Sequence, residues 1–107
     1  MNKLRIKGNE VVVGCDVSMT IYELSDLFEV SVSMIRGQIY KAIKRGVVVA
    51  YPELGGTLYR ALILPDFYGL DVIFTLAFHL DSHNAKLLRE WLVSKVDRDY
   101  SGYATIR

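Results

Sequence analysis

At 107 residues, half of them apolar and twelve aromatic, the chain has enough material for one buried core, too little for two, and too apolar a balance to stay disordered. The net charge of +1 hides an uneven distribution: residues 15–30 hold Asp16, Glu23, Asp26 and Glu29 and no Lys or Arg, whereas residues 31–60 hold Arg36, Lys41, Lys44, Arg45 and Arg60 against Glu53 alone. The longest uncharged stretch, Val72 to Leu80, falls far short of the roughly 20 apolar residues of a membrane span, and Met1 to Lys7 mixes cations with single apolar positions, unlike a secretory signal.

In chain order, Leu4 to Val13 alternates and then runs through three valines, with Gly8-Asn9 between, and predicts one strand or a short hairpin turning there. Thr20 stands three residues before Glu23, the spacing at which hydroxyl and carboxylate each satisfy an orphan backbone N–H. Ile21, Leu24, Leu27 and Phe28 repeat at helical spacing and predict a helix over Ile21 to Phe28. Ser31 or Ser33 starts the next helix, over about 32–45, whose apolar positions are Ile35, Ile39, Ala42 and Ile43, and Gly46 stops it. Ile35, Ile39 and Ile43 are expected to face inward.

After Gly46 the period becomes extended. Val47 to Tyr51 reads as a strand, Pro52 to Gly56 as a turn and Leu58 to Leu64 as a second strand, a hairpin over about 47–64. Leu70 to Leu80 predicts a mostly buried helix with Asp71 near its start. Ser82 caps a last helix to about Val96, with Leu87, Leu88, Trp91, Leu92 and Val96 as its apolar stripe. Asp97 to Arg107 is left as a tail or an edge strand. The sum is an α+β fold: a single domain over 1–107, with a winged helix-turn-helix (helix-turn-helix about 20–46, hairpin wing about 47–64) and two further C-terminal helices over about 70–96.

The side chains of the second helix carry the functional expectation. With its isoleucines inward, its outer surface shows Ser33, Arg36, Gly37, Tyr40, Lys41 and Lys44, and Arg36, Tyr40 and Lys44, spaced by four, form one stripe. An arginine near the start of such a helix reaches guanine O6 and N7 with both arms, while Ser33 and Gln38 suit base edges or phosphates. Lys41, Lys44 and Arg45, toward the other end, suit phosphates. Gly37 costs about 1 kcal/mol relative to Ala inside a helix, which close approach to a partner or a packing contact would each explain. Tyr40 suits a core edge or a phosphate contact. Arg60 on the wing suits a phosphate, the minor groove or a plain surface position. The competing reading of the charge blocks is two ordinary solvated faces.

The segment Ile21 to Gly46, IYELSDLFEVSVSMIRGQIYKAIKRG, resembles the N-terminal helix-turn-helix of the RhuM-like virulence-protein family. Phe67 to Leu92 is similar to that family's second block, with Tyr68, Leu70, Asp71, Val72, Ile73, Arg89 and Trp91 in the matching positions. The layout is also similar to phage antirepressor modules of the KilA-N and Bro-N kind. The resemblance covers about two-thirds of the chain and implies DNA binding in genes of mobile elements, with no catalytic residues. His83-Asn84 replace the family's usual Lys-Arg, so no phosphate contact carries over to them. The chain ends soon after its last helix, short of the family's long C-terminal region, and is expected to be a solitary reader module.

Other signals point away from chemistry. His79 and His83 lie four apart, but Asp81-Ser82 breaks the helix between them and no further ligands stand near, so no metal is expected. A lone Cys15 between Gly14 and Asp16 reads as a loop or strand-end residue and suits a reducing cytoplasm. Trp91 reads as core or as a dimer seam along Ser82 to Val96, and Asp71 and Arg89 as partners within the fold. The expectation is a cytoplasmic, non-enzymatic duplex-DNA binder, a transcriptional regulator of mobile-element or phage type, without cofactor and able to form a homodimer. The alternative is a protein–protein interaction module on the same winged scaffold.

Overall fold

The computed structural model describes residues 2–48 and 55–104, with residues 96–104 as backbone alone. Its elements are β1 (Leu4–Lys7), β2 (Glu10–Val13), α1 (Ile21–Phe28), α2 (Val32–Lys44), β3 (Thr57–Tyr59), β4 (Leu62–Leu64), α3 (Leu70–His79) and α4 (His83–Ala104). Among the described residues the result is α+β: four helices and two small antiparallel hairpins.

Gly8-Asn9 turns the first hairpin, with Gly8 at φ +59° and a register from Leu4↔Val13 to Lys7↔Glu10. Of the two sequence readings, the hairpin is the one observed. Thr20 caps α1 reciprocally: its Oγ1 accepts from the Glu23 N–H at 3.2 Å, and its own N–H donates to the Glu23 carboxylate at 3.0 Å. The same carboxylate pairs with Lys3, tying β1 to α1.

The turn into α2 is three residues long. Glu29 closes α1 in the left-handed region at φ +55°, the Ser25 hydroxyl donates to the Val30 carbonyl at 2.6 Å, and Ser31 caps α2 by accepting from the Met34 N–H at 3.1 Å. Gly46, at φ +75°, follows the last turn of α2.

The core joins these helices to the C-terminal pair. Leu24, Phe28, Ile35, Ile39, Ile73, Leu76 and Leu88 have essentially no exposed surface, and each such side chain contributes about 1.5–3 kcal/mol by leaving water. On α2 the third inward position is Ala42, whereas Ile43 is only half-buried. Reciprocal backbone hydrogen bonds between Met19 and Tyr68, at 2.8 and 3.0 Å, lash the approach to α1 to the approach to α3. The Asn84 amide donates to the Leu27 carbonyl at 2.8 Å and so closes the end of α1 from α4.

Three expectations need correction. The hairpin over about 47–64 is instead β3–β4 within 57–64, turning at Arg60-Ala61. Val47 and Val48 fold back onto the Ala42 carbonyl rather than entering a strand; residues 49–54, with most of the expected first wing strand and most of its turn, lie outside the described residues. Arg60 and Ala61 sit at φ +47° and +66°, the left-handed pair a two-residue hairpin turn demands. Neither is a Gly, Asn or Asp, so no turn signal marks the site.

Second, α4 runs to Ala104 rather than to Val96, past the end of the apolar stripe and through Gly102, so residues 97–104 are neither tail nor edge strand. Third, Asp71 and Arg89 do not pair. Asp71 is exposed in the first turn of α3, while Arg89 donates to the Ala77 and Leu80 carbonyls, at 2.7 and 2.8 Å, at the other end. Six and nine residues along the helix axis separate Asp71 from these carbonyls, about 9 and 14 Å. Among the described residues no helix is long and apolar enough to cross a membrane.

Candidate functional site

The capped, carboxylate-free helix α2 is the strongest candidate, and its surroundings divide its surface in three. Ile35, Ile39 and Ala42 fill the core. The opposite face is open: Ser33, Met34, Lys41, Lys44 and Arg45 are exposed and Gly37 and Gln38 half-exposed. A Cβ added at Gly37 would meet nothing within 4 Å. The packing explanation for this glycine therefore fails. Ser31, Ser33, Met34, Gly37, Gln38 and Lys41 line a shallow groove of about 260 Å³ along this face.

The third part leans on neighbouring elements. Arg36 is half-buried and donates from Nη2 to the Tyr22 hydroxyl of α1 at 3.3 Å. It also lines a cleft of about 290 Å³ with Tyr22, Tyr59 and Phe67. Tyr40 packs edge-on against Tyr59 of β3, centroids 5.8 Å apart, and Arg60 at the hairpin tip lies over both rings. The expected stripe of Arg36, Tyr40 and Lys44 is thus divided: Lys44 is exposed, with its ammonium over the Tyr40 ring, whereas Arg36 and Tyr40 are half-buried against α1 and the hairpin. Arg60 and Lys44 nevertheless come together at Tyr40 from two elements.

The electrostatics of α2 are one-sided. It carries Arg36, Lys41 and Lys44 and no Asp or Glu, with Arg45 directly after it. Of the acids in the preceding block, Glu23 is paired with Lys3 of the first hairpin and Glu29 occupies the turn between α1 and α2. The hydrogen bond from Lys3, helped by the Thr20 N–H, keeps the Glu23 carboxyl below its ordinary range. Tyr68 is buried with its hydroxyl unpartnered among the described residues, and burial, with Asp66 nearby, pushes its phenol well above the ordinary value.

No family model, curated protein or solved structure matches the chain.

Side chains that the sequence did not single out complete the site. Tyr22 offers Arg36 its hydroxyl, Tyr59 seats Tyr40 and Arg60, and Met34 adds an exposed apolar contact to the open face. Tyr22 and Met34 were visible as the off-stripe positions of their helices. Tyr59 had no such signal, because the turn beside it was unrecognised. His79 and His83 are exposed, and among the described residues no three His, Cys, Asp or Glu side chains converge as metal ligands. Cys15 is exposed beyond β2.

Proposed function

We propose that this chain binds duplex DNA by laying the open face of α2 in the major groove, as a winged helix-turn-helix regulator of mobile-element or phage type. One observation carries the reading: Gly37 lies mid-helix with open space above it, followed at four and seven residues by exposed Lys41 and Lys44 on a helix with no carboxylate. Such a surface lets backbone approach base edges closely while cations toward the end of the helix meet phosphates. The three-residue turn between α1 and α2 and the hairpin beside α2 support the winged layout, and the resemblance of Ile21 to Gly46 and of Phe67 to Leu92 to RhuM-like proteins supports the regulatory role. In this reading Ser33 and Gln38 face bases or phosphates, Lys41, Lys44 and Arg45 face phosphates, and Arg36 exchanges its long bond to Tyr22 for a guanine edge. The protein acts in the cytoplasm, and a two-fold dimer would present two such helices about 34–36 Å apart.

The test is a binding series on random duplexes at 50 and 200 mM salt. Affinity is expected to fall steeply with salt, Lys41→Ala to weaken all sequences and flatten the salt slope by about 0.9, and Arg36→Ala to relax base preference. Affinity that does not respond to salt refutes the proposal. A second reading, a protein-interaction module, is favoured by Tyr22, Met34 and Phe67, each about half exposed or more at the edges of the same surface. It predicts binding that apolar substitution at these three positions leaves intact and polar substitution abolishes.

A further inference from the structure

At the junction of α2 and the hairpin, two positive charges from different elements converge on one aromatic shelf. The Tyr40 and Tyr59 rings meet at 70°. The Arg60 guanidinium carbon lies 5.7 Å from the Tyr40 centroid and 5.4 Å from that of Tyr59, and the Lys44 ammonium lies 6.0 Å from Tyr40. Both cations are exposed. Among the described residues the ion pair found is Lys3–Glu23, at neither of them.

The backbone that delivers Arg60 is itself unusual. Arg60 and Ala61 hold left-handed φ values that side chains with a Cβ resist, and such strain persists where the surrounding structure demands it. The ring faces attract each cation, and among the described residues neither cation has a carboxylate partner. An anion that meets both would supply the missing counter-charge.

We infer that Lys44 and Arg60, held on Tyr40 and Tyr59, form a two-cation clamp for a single phosphodiester group. The oxygens of a tetrahedral phosphate diverge, so cations on separate elements can each take one, whereas a coplanar carboxylate suits a single guanidinium fork. Tyr59 is a positioning residue: it touches no ligand but keeps Arg60 over the shelf. That the phosphate belongs to duplex DNA rests on the function proposed above; inorganic phosphate shares the chemistry.

The test uses the full chain in two arms. In the first, duplex affinity is measured across a salt series. Arg60→Gln lowers the slope of log affinity against log salt by about 0.9. Tyr59→Leu, which changes no charge, lowers it in the same direction, and Tyr59→Phe, which keeps the ring, restores it. In the second, inorganic phosphate is titrated against chloride at equal ionic strength, and phosphate alone moves the side-chain nitrogen resonances of Arg60 and Lys44. If phosphate moves them but no salt-dependent duplex binding exists, the clamp stands and takes small phosphate compounds, while the DNA proposal falls. If duplex binds and Arg60→Gln keeps the wild-type slope, the clamp is overturned and the DNA proposal survives. Should Tyr59→Leu melt early, Arg60→Gln and Lys44→Gln, both at exposed positions, decide the matter.

Discussion

Replacing Gly37 separates what the fold wants at that position from what a partner wants. It is the sixth residue of the thirteen-residue helix α2, its φ is ordinary, and the space a Cβ would enter is empty. With neither strain nor collision to offset it, the helix-propensity difference should appear nearly in full, so Gly37→Ala stabilises the free protein by about 1 kcal/mol. For a chain of this size that raises Tm by about 4 °C. Gly37→Gln keeps much of the gain, because glutamine is also a good helix former.

Binding should move the other way. If this face enters the groove as proposed, a glutamine side chain on it holds the helix backbone off the bases and loosens its neighbours' contacts. A tenfold loss of duplex affinity, about 1.4 kcal/mol, is the expected scale. Thermal melts and fluorescence anisotropy on Gly37→Ala and Gly37→Gln read the two quantities on the same samples. Stability up with affinity down is the signature of a glycine kept for a partner. Destabilisation by alanine would mean that the position is packed, and full affinity in the glutamine variant would mean that this face does not meet DNA; either result defeats the reasoning.

Arg89→Met should cost about 2–3 kcal/mol in denaturant unfolding, because it strips the Ala77 and Leu80 carbonyls of a charged donor while keeping the apolar stem. Tyr68→Phe removes a buried hydroxyl that has no partner among the described residues; the same assay should show no loss and a gain of up to about 1 kcal/mol. Glu23 has a folded-state pKa below its ordinary 4.5, through Lys3 first and Thr20 second. Its contribution is complete above the unfolded value and disappears as pH falls through the lower folded value. Wild-type stability should therefore drop in acid below about 4.5 more steeply than that of Glu23→Gln, as read from unfolding midpoints across pH.

The local order of the first half was legible because each boundary there is set by nearby chemistry. The Thr20–Glu23 spacing fixes where α1 begins, Gly8-Asn9 where the first hairpin turns, and Gly46 where α2 stops. The candidate face was legible for the same reason, since helical periodicity sorts Ser33, Gly37, Lys41 and Lys44 from Ile35 and Ile39. What escaped were features decided by tertiary contact. The β3–β4 turn uses Arg60-Ala61, residues that adopt left-handed backbone only when the surroundings hold them there, as Tyr40 and Tyr59 do for the Arg60 side chain. The bond between Arg36 and Tyr22 and the seat of Tyr40 on Tyr59 likewise depend on how helix and hairpin meet. Spacing along one element says nothing about that.

The segment from Phe67 to Leu92 then acquires a physical role distinct from that of α2. Three of its polar contacts end on backbone: Tyr68 exchanges hydrogen bonds with Met19 just before α1, Asn84 closes the last turn of α1 at Leu27, and Arg89 closes α3 at Ala77 and Leu80. Two of these grip α1 at its opposite ends. Because α1 is joined to α2 by only three residues, themselves fixed by Ser25 and Ser31, fixing α1 at both ends sets the direction in which α2 presents its open face. A helix that must enter a groove at one angle gains from being aimed before it arrives, since the entropy of orienting it is then lost on folding and not on binding. The C-terminal segment therefore bears on the candidate site through both ends of α1, and the side chain that does so, Asn84, acts on a carbonyl group that no periodicity in the sequence could have disclosed.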